Sequence, residues 1–369
     1  MTEKKRILYV VPSLSKANGI STFCVNYLKK IDFRKYKIDF LVMNSQSKDY
    51  YDLVKKYDCD IYEMNFNKKN LFRKISTIKE IKNLLKNKKY DIIHCHTPNF
   101  GAITQLYAKK YGINKRILHA HAVTSSAKIL NRIRNSIIEP LAIKNSNVFL
   151  SCSIEAGKAR FGNKKFIIVN NSLNKDDYFY DLVVRNNIRN KLDLSKNNIV
   201  LGTVGRLSKD KNQRFLIDLL KILVKEDKNY KLLIVGGGPE EKKLKKYVEE
   251  CSLQNHVIFT GVRKDVNDIY NAMDMFLLPS LAEGFGLVLI EAQMTGLKCI
   301  ASKNRVPEKT KFTDLLDFLP IEDGPKKWAN YIKKNVLDYN RKTRNIEFDK
   351  SDFNIDNQVN ELEKIYDGE

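Results

Sequence analysis

One stretch of the chain says most about its architecture, and it reads PSLAEGFGLVLIEA at residues 279–292. An apolar segment at 275–278 precedes it, so the stretch is typical of a strand, a glycine loop and a helix in succession. Gly284 and Gly286 would let a ligand approach the backbone closely. The helix beginning near Leu287 would then point its free N–H groups at that ligand, which suits phosphate or sugar hydroxyls.

The same alternation of short apolar segments and helical periodicity extends over most of the chain. A first series of predicted strands lies at 7–11, 38–42, 92–96, 116–119, 148–151 and 166–169. After a polar stretch at 186–198, a second series lies at 200–204, 232–235, 257–260, 275–278 and 298–302. The sequence therefore predicts an α/β protein with two Rossmann-like domains, which bind ligands at the carboxyl ends of their strands.

Length agrees with two domains, since 369 residues exceed the size of most single domains, about 150 residues. We predict an N-terminal domain at 1–185, a C-terminal domain at 186–345 and a helical tail at 346–369. We expect the tail to pack back on the N-terminal domain, because its apolar residues are spaced as one helical stripe. These residues are Phe353, Ile355, Val359, Leu362 and Ile365.

Composition excludes several classes of protein. The 66 Lys and Arg against 43 Asp and Glu give a net charge of +23, which indicates anionic partners such as nucleic acid, membrane or phosphorylated substrates. A hydrophobic content of 43% excludes a disordered basic tail. The six cysteines include no C-x-x-C pair, which argues against a disulfide framework. With no secretory signal and no run of about eighteen apolar residues, we expect a cytoplasmic protein.

Two further glycine loops follow strands of the second series. In VGRLSKDKN at 204–212, Arg206 can bind a diphosphate through two parallel hydrogen bonds and Lys211 adds a mobile positive charge. From these residues alone, a pair of solvated surface cations is the commoner outcome. The loop in LLIVGGGP at 232–239 lacks the spacing of a P-loop, so by itself it is a weak phosphate signal.

Taken together, four motifs in this order resemble the family 4 retaining glycosyltransferases of the GT-B fold. They are VGRLSKDKN at 204–212, VGGGP at 235–239, FTG at 259–261 and PSLAEGFGLVLIE at 279–291. The N-terminal half is similar through HCHTPN at 94–99, HAH at 119–121 and SCS at 151–153. It departs from the family at 171–174, NSLN instead of N-G-I-D, and at Asn18-Gly19 instead of Gly-Gly. The resemblance implies two Rossmann-like domains facing across a cleft, in the capsular and exopolysaccharide branch.

The resemblance also implies roles for individual residues. Arg206 and Lys211 would bind the nucleotide diphosphate, and Glu291 would hold the ribose hydroxyls. Glu283 and His121 would act at the transferred sugar. The remaining donor contacts would come from Gly237, Val262, Gly284, Phe285, Gly286 and Leu287, those of 284–287 through the backbone. Gly19 would lie near the diphosphate or the acceptor.

The implied reaction is transfer of a hexose with retention, from a nucleotide diphosphate sugar, expected to be UDP-linked, to a lipid-linked or polysaccharide acceptor. Fixed cations and a helix N-terminus can stabilise the charge that develops on the leaving diphosphate. A retaining hydrolase needs two carboxylates about 5 Å apart, whereas Glu283 and Glu291 should lie roughly 10 Å apart. The resemblance implies front-face transfer instead. We expect no cofactor and no essential metal.

Other functions remain as alternatives. A GT-B-fold nucleotide-sugar epimerase or phosphorylase would use the same donor motifs without forming an acceptor glycoside. A basic nucleic-acid-binding protein would explain the charge, but the chain has no aromatic-basic RNA motif and no zinc finger, so we expect no nucleic-acid partner. A nicotinamide dehydrogenase is disfavoured because no G-x-G-x-x-G follows the first strand.

Four histidines fall in two H-x-H pairs, His94 with His96 and His119 with His121. Alternate residues of a strand point to one side, so a zinc site, the lining of a substrate cleft and plain packing are all open. We expect cleft lining, because no carboxylate or cysteine cluster accompanies the pairs beyond Cys95.

The segment 67–89 combines nine cations with a single acid, Glu80, and an apolar stripe that includes Ile75. A basic amphipathic helix can bind an anionic membrane surface, which predicts a peripheral protein on the inner face of the membrane. A helix that covers the sheet while its lysines face water fits the sequence equally well.

Overall fold

The computed structural model describes residues 3–16, 18–45, 47–64, 71–121, 129–336 and 341–368. The chain forms two compact units. The N-terminal unit comprises Met1–Ser172 with Ile355–Glu369, and the C-terminal unit comprises Leu173–Asn354. The two series of strands predicted from the sequence fall in different units.

The described part of the N-terminal unit contains a seven-stranded parallel sheet in the order β3-β2-β1-β4-β5-β6-β7. The strands are β1 Lys5–Val11, β2 Tyr36–Val42, β3 Ile61–Glu63, β4 Ile92–Cys95, β5 Lys115–Ala120, β6 Val148–Ser151 and β7 Ile167–Ile168. The helices are α1 Gly19–Leu28, α2 Tyr51–Lys56, α3 Leu71–Asn87, α4 Pro98–Lys110, α5 Ile129–Asn145 and α6 Ile154–Phe161.

The described part of the C-terminal unit contains a six-stranded parallel sheet in the order β10-β9-β8-β11-β12-β13. The helices are α7 Leu182–Lys191, α8 Gln213–Glu226, α9 Glu241–Glu250, α10 Val266–Ala272, α11 Leu287–Met294, α12 Gly324–Asn335 and α13 Asn345–Asp349. The strands are β8 Ile199–Val204, β9 Tyr230–Val235, β10 Val257–Gly261, β11 Met275–Leu278, β12 Lys298–Ser302 and β13 Leu316–Leu319. Strand β8 lies between β9 and β11, so the strand order reverses there, and ligands bind beside such a reversal in open sheets.

Both sheets are buried on their two faces, which explains why their central strands are continuous apolar runs. In β1, Ile7 and Tyr9 pack in one apolar cluster, whereas Leu8 and Val10 pack in another. Successive side chains of a strand point to opposite faces, so a strand of this kind needs apolar residues at every position.

The boundary between the units lies at 172/173 rather than at the expected 185/186. Helix α7 is held in the C-terminal unit by its arginines. The Arg185 guanidinium donates to Asp274 Oδ1 at 2.5 Å, and Arg189 donates to the Ala272 carbonyl at 3.1 Å. The polar stretch at 186–198 between the two predicted series of strands is therefore partly a helix of the second domain.

The last helix, α14, spans Ile355–Asp367 and belongs to the N-terminal unit. Its buried stripe of Ile355, Val359, Leu362 and Ile365 joins the apolar cluster of β1, β2 and α1. Phe353, which has the same sequence spacing, packs instead in the C-terminal unit beside Phe285, with ring centroids 5.8 Å apart. The predicted stripe is therefore divided between the two units.

Candidate functional site

In the C-terminal unit, backbone hydrogen bonds and close packing at glycines join the loops after β8, β9 and β10. Gly205 N–H donates to the Val235 carbonyl at 2.9 Å, and Leu207 N–H donates to the Gly237 carbonyl at 3.1 Å. A Cβ on Gly236 would lie 2.0 Å from the Gly205 carbonyl oxygen. Gly236 therefore allows one loop backbone to pack on another, a role that the sequence pattern alone does not distinguish from phosphate binding.

Arg206 and Lys211 lie on the loop that follows β8. The Arg206 side chain is exposed, and its carbonyl accepts a hydrogen bond from Gln213 Nε2 at 2.9 Å. Lys211 ends a short 3-10 helix, and Asn212 after it has a left-handed backbone with φ 53°. The loop backbone is thus held by hydrogen bonds next to both cations, and the Arg206 side chain is exposed to solvent.

The loop after β11 packs against this first loop and brings a carboxylate to it. Leu281 N–H donates to the Asp210 carbonyl at 2.7 Å, and Lys211 Nζ forms an ion pair with Glu283 Oε2. Ser280 Oγ donates to the same carboxylate oxygen at 3.2 Å. The Lys211 and Glu283 side chains are only 21% and 11% exposed. This cation and this carboxylate are therefore in contact at a place where water solvates them only in part.

Helix α11 begins directly after this loop. Gly286 is its N-cap and has φ 84°, a left-handed conformation that favours glycine. Gly284 is exposed, and no atom of the described residues lies within 4 Å of where its Cβ would be. The backbone N–H groups at the start of a helix lack partners within the helix and attract anions. The Phe285 side chain is buried in an apolar cluster, so only its backbone is available to a ligand.

Glu291 lies on α11 and is held by a tyrosine. Tyr270 Oη donates to Glu291 Oε2 at 2.6 Å. Burial raises the pKa of the Glu291 carboxyl, and hydrogen bonds from Tyr270 and Tyr178 oppose that rise. No sequence pattern singles out Tyr270, because it occupies a buried position of α10 where any large apolar residue would fit the helical pattern.

Gly237 and Val262 are neighbours at the other side of these loops. A Cβ on Gly237 would lie 3.2 Å from Val262 Cγ2, and Val262 itself is 69% exposed. The next residue, Arg263, is paired with Asp265 at 2.6 Å and holds the pKa of that carboxyl below its usual range. An exposed apolar side chain beside a glycine turn suits contact with a planar ring.

The structure thus assembles the predicted donor residues in one unit, at the carboxyl ends of β8 to β11. His121 and Gly19 belong to the N-terminal unit. Gly19 is exposed at the start of α1, where Asn18 Oδ1 accepts from Ile20 N–H at 2.9 Å. Among the described residues, no atom lies within 4 Å of a Cβ built on Gly19, so their packing does not require glycine at this position.

The four histidines of β4, β5 and their ends form two hydrogen-bonded pairs. His94 Nε2 lies 3.1 Å from His119 Nδ1, and His96 Nδ1 lies 2.9 Å from His121 Nε2. The pairs stack on each other, with ring centroids 4.0 Å apart for His94 and His96. On its other side, His94 Nδ1 lies 2.7 Å from the Tyr366 hydroxyl of α14.

Three of these histidines are buried, so they pack within the unit rather than line a surface, and only His121 is half-buried. Burial lowers the pKa of all four imidazoles, to about 3 for His121. Nitrogens of His94, His96 and His119 lie within 4.8 Å of one another. The stacked rings of His94 and His96 are only 27° from parallel, so their in-plane lone pairs do not converge on one metal position.

Helix α3 carries the described part of the basic segment, since residues 67–70 lie outside the described residues. Ile81 and Leu85 are buried in the core, whereas Lys79, Lys82 and Lys86 are exposed. Ile75, which the sequence analysis placed in the same apolar stripe, is 58% exposed and so is not part of this buried face. Within the described residues, no helix is long and apolar enough to span a bilayer.

Two family models match the chain, one for each domain. The model described as "Glycosyl transferase 4-like" matches residues 7–153, and the model described as "Glycosyl transferases group 1" matches residues 184–348. Together they cover both Rossmann-like domains, including every predicted donor residue and His121.

Characterised relatives are similar over most of the chain. The UDP-Gal:alpha-D-GlcNAc-diphosphoundecaprenol alpha-1,3-galactosyltransferase of Escherichia coli is 27% identical over 323 residues, 80% of this chain and 81% of that protein. The capsular polysaccharide biosynthesis glycosyltransferase CapH of Staphylococcus aureus is 27% identical over 292 residues, 77% of this chain and 78% of that protein.

Among solved structures, Anabaena Alr3699/HepE in complex with UDP and glucose superimposes with a TM-score of 0.78. The match covers 99% of this chain and 100% of that chain at 16% sequence identity. At this identity the likeness is one of fold, and it confirms the predicted GT-B class with two Rossmann-like domains.

Proposed function

We propose, since this chain belongs to the group 1 glycosyltransferases, that it moves a hexose with retention from a UDP-sugar to a lipid-linked or polysaccharide acceptor. The observation that carries the proposal is the partly buried Lys211–Glu283 pair beside the N-terminus of α11. A glycosyl transfer needs positive charge for the leaving diphosphate and a polar group for the sugar, and this pair places both together.

The diphosphate is assigned to Arg206, Lys211 and the first turn of α11. Arg206 supplies a planar fork of donors and Lys211 a point charge, while the α11 N-terminus supplies backbone N–H groups and a partial positive charge. These groups stabilise the leaving diphosphate as the anomeric bond breaks. Because these groups provide the positive charge, we propose that the reaction uses no cofactor and no essential metal.

The sugar is assigned to Glu283, with His121 as a predicted contributor from the N-terminal unit. When the diphosphate binds Lys211, the ion pair with Glu283 is relieved and the carboxylate can accept hydrogen bonds from sugar hydroxyls. His121 is neutral at pH 7, since its pKa is lowered to about 3. A neutral imidazole can donate one hydrogen bond to a hydroxyl without adding a charge.

The nucleotide is assigned to Glu291 for the ribose hydroxyls and to Gly237 and Val262 for the base. A UDP donor is supported by the galactosyltransferase, whose name gives UDP-Gal, and by the HepE complex with UDP and glucose. The alpha-1,3 linkage in the same name supports transfer with retention.

The acceptor is proposed to be a lipid-linked saccharide in the synthesis of a bacterial surface polysaccharide. The galactosyltransferase acts on a diphosphoundecaprenol-linked sugar by its name, and CapH is named for capsular polysaccharide. The exposed lysines of α3 and the net charge of +23 would hold the enzyme on the anionic inner face of the membrane.

A donor panel tests the proposal. Purified protein is incubated with UDP-, GDP- and dTDP-linked hexoses in the presence of membrane extract, and released nucleoside diphosphate is measured. The proposal predicts release from a UDP-hexose that depends on the extract, together with a product whose anomeric proton signal has the configuration of the donor. Release of UDP with no new glycoside would favour an epimerase or hydrolase, and no turnover of any nucleotide sugar would contradict the proposal.

A further inference from the structure

We propose that Tyr270 is a positioning residue for the nucleotide, and that it fixes the Glu291 carboxylate so that the enzyme selects donors with both ribose hydroxyls. The inference rests on the proposed function and deepens it, because it assigns ribose selection to a residue outside the binding motifs. Tyr270 itself would not touch the nucleotide.

The contact between the two side chains is direct. Tyr270 Oη lies 2.6 Å from Glu291 Oε2, a distance typical of a hydroxyl that donates to a carboxylate. A carboxylate has no proton to give, so the phenol must be the donor. The bond therefore fixes which way Glu291 Oε2 points.

The Tyr270 ring can hold this position because it is immobilised on all sides. Its side chain is fully buried, and its ring packs against Phe276 with centroids 5.8 Å apart. Its backbone carbonyl accepts a hydrogen bond from Arg341 Nη2 at 3.0 Å. A rigid donor of this kind orders its acceptor at little cost in conformational entropy.

Glu291 has more acceptor positions than the two tyrosines use. A carboxylate has about four lone-pair positions. Tyr270 and Tyr178 each donate one hydrogen bond to it, which leaves about two positions for a ligand. A ribose carries two neighbouring hydroxyls, so a ribonucleotide completes the set and a deoxynucleotide leaves one position unfilled.

Loss of the Tyr270 hydrogen bond is therefore expected to reduce the selectivity for ribonucleotides over deoxynucleotides, and not only the affinity for UDP. Without the Tyr270 hydroxyl, only Tyr178 still donates to Glu291, so the carboxylate is less constrained and its two other lone pairs are held less firmly toward the ribose. A donor that has both hydroxyls loses most from this change, because it alone uses both positions. A deoxynucleotide loses little.

The test uses Tyr270→Phe, which keeps the buried ring and removes only the hydroxyl. Binding of UDP, 2′-deoxy-UDP and 3′-deoxy-UDP to the full-length protein is measured by calorimetry. We expect the wild-type protein to prefer UDP by about 10-fold or more, and Tyr270→Phe to weaken UDP about 10-fold while changing the deoxy analogues less than about threefold.

The matched control is Tyr331→Phe, which removes another tyrosine–carboxylate bond in the same unit, that of Tyr331 with Asp317. It should leave the ratio of UDP to deoxy-UDP affinities unchanged. An equal loss for all three ligands in Tyr270→Phe would overturn the inference and leave the donor site intact. A protein that binds none of UDP, GDP and ADP would overturn the proposed function, and the inference with it.

Discussion

At the scale of single residues, the proposed site holds two opposite charges in contact. Lys211 and Glu283 are paired and only partly exposed, and we propose that a bound substrate separates them. A buried pair contributes little to stability once the loss of solvation is counted. We therefore attribute the pair to substrate binding rather than to the fold.

Replacing either cation tests this interpretation. Lys211→Ala or Arg206→Ala should lower kcat by a factor on the order of 10² in a protein that still folds, since each removes charge stabilisation of the leaving diphosphate. Turnover is measured as released UDP at saturating donor.

The control for these variants is Lys209→Ala, an exposed cation on the same short 3-10 helix. It should retain turnover within about twofold, because surface charges away from the reaction contribute little. Near wild-type turnover in both Lys211→Ala and Arg206→Ala would contradict the assignment of the diphosphate.

At the scale of elements, the histidines of β4 and β5 show how packing changes the meaning of a pattern. Alternate residues of a strand were expected to line a surface, yet His94, His96 and His119 are buried. Helix α14 covers this region and contributes Tyr366, whose hydroxyl bonds to His94 at 2.7 Å. No sequence pattern near the histidines predicts that α14 covers them, because Tyr366 lies more than 240 residues away from them.

The buried imidazoles make folding sensitive to acid. Their pKa values are lowered below 6.5 in the folded protein, so between pH 6.5 and their folded pKa values the unfolded chain binds more protons. Their contribution is therefore complete above about pH 6.5 and is lost as the pH falls, by up to about 1.4 kcal/mol per pH unit for each histidine.

Denaturant unfolding at pH 7.5, 6.5 and 5.5 measures this effect. The free energy of unfolding should decrease between pH 6.5 and 5.5. In His121→Asn it should decrease less steeply with pH, because one histidine fewer takes up a proton on unfolding. A stability that stays constant over this range, or a slope that His121→Asn leaves unchanged, would contradict the account of the histidine pairs.

The sequence predicted the central elements well and the peripheral ones less well. Strands such as β1 and β8 are buried on both faces, and that burial leaves a continuous apolar run. Strands β3 and β13 were missed because each ends its sheet and keeps mostly half-buried residues. The donor loops were predicted through their motifs. Tyr270 was not predicted, because its role depends on a hydrogen bond to Glu291 of α11, which lies 21 residues further along the chain.

At the scale of the whole molecule, the net charge of +23 exceeds what the site requires. Only Arg206 and Lys211 are assigned to the diphosphate, so most of the excess remains on the surface. Helix α3 presents Lys79, Lys82 and Lys86 to solvent while Ile81 and Leu85 fill the core. The apolar stripe and the cations of this helix therefore have separate roles.

Charge reversal on α3 tests whether these cations bind lipid. Lys79→Glu, Lys82→Glu and Lys86→Glu together should weaken binding to phosphatidylglycerol vesicles at least 10-fold in a flotation assay, since each cation contributes about 1 kcal/mol near an anionic bilayer. The same change at the exposed Lys242, Lys243 and Lys246 of α9 controls for net charge and should have a smaller effect. Equal effects of the two triple variants would contradict a specific role of α3.

A crystal structure of the protein with UDP would show whether the loops after β8 and β11 form a nucleotide diphosphate sugar site. We expect the diphosphate on Arg206, Lys211 and the N-terminus of α11, with the ribose hydroxyls on Glu291 and the Lys211–Glu283 pair separated. A diphosphate bound elsewhere, or UDP bound with that ion pair intact, would contradict this expectation.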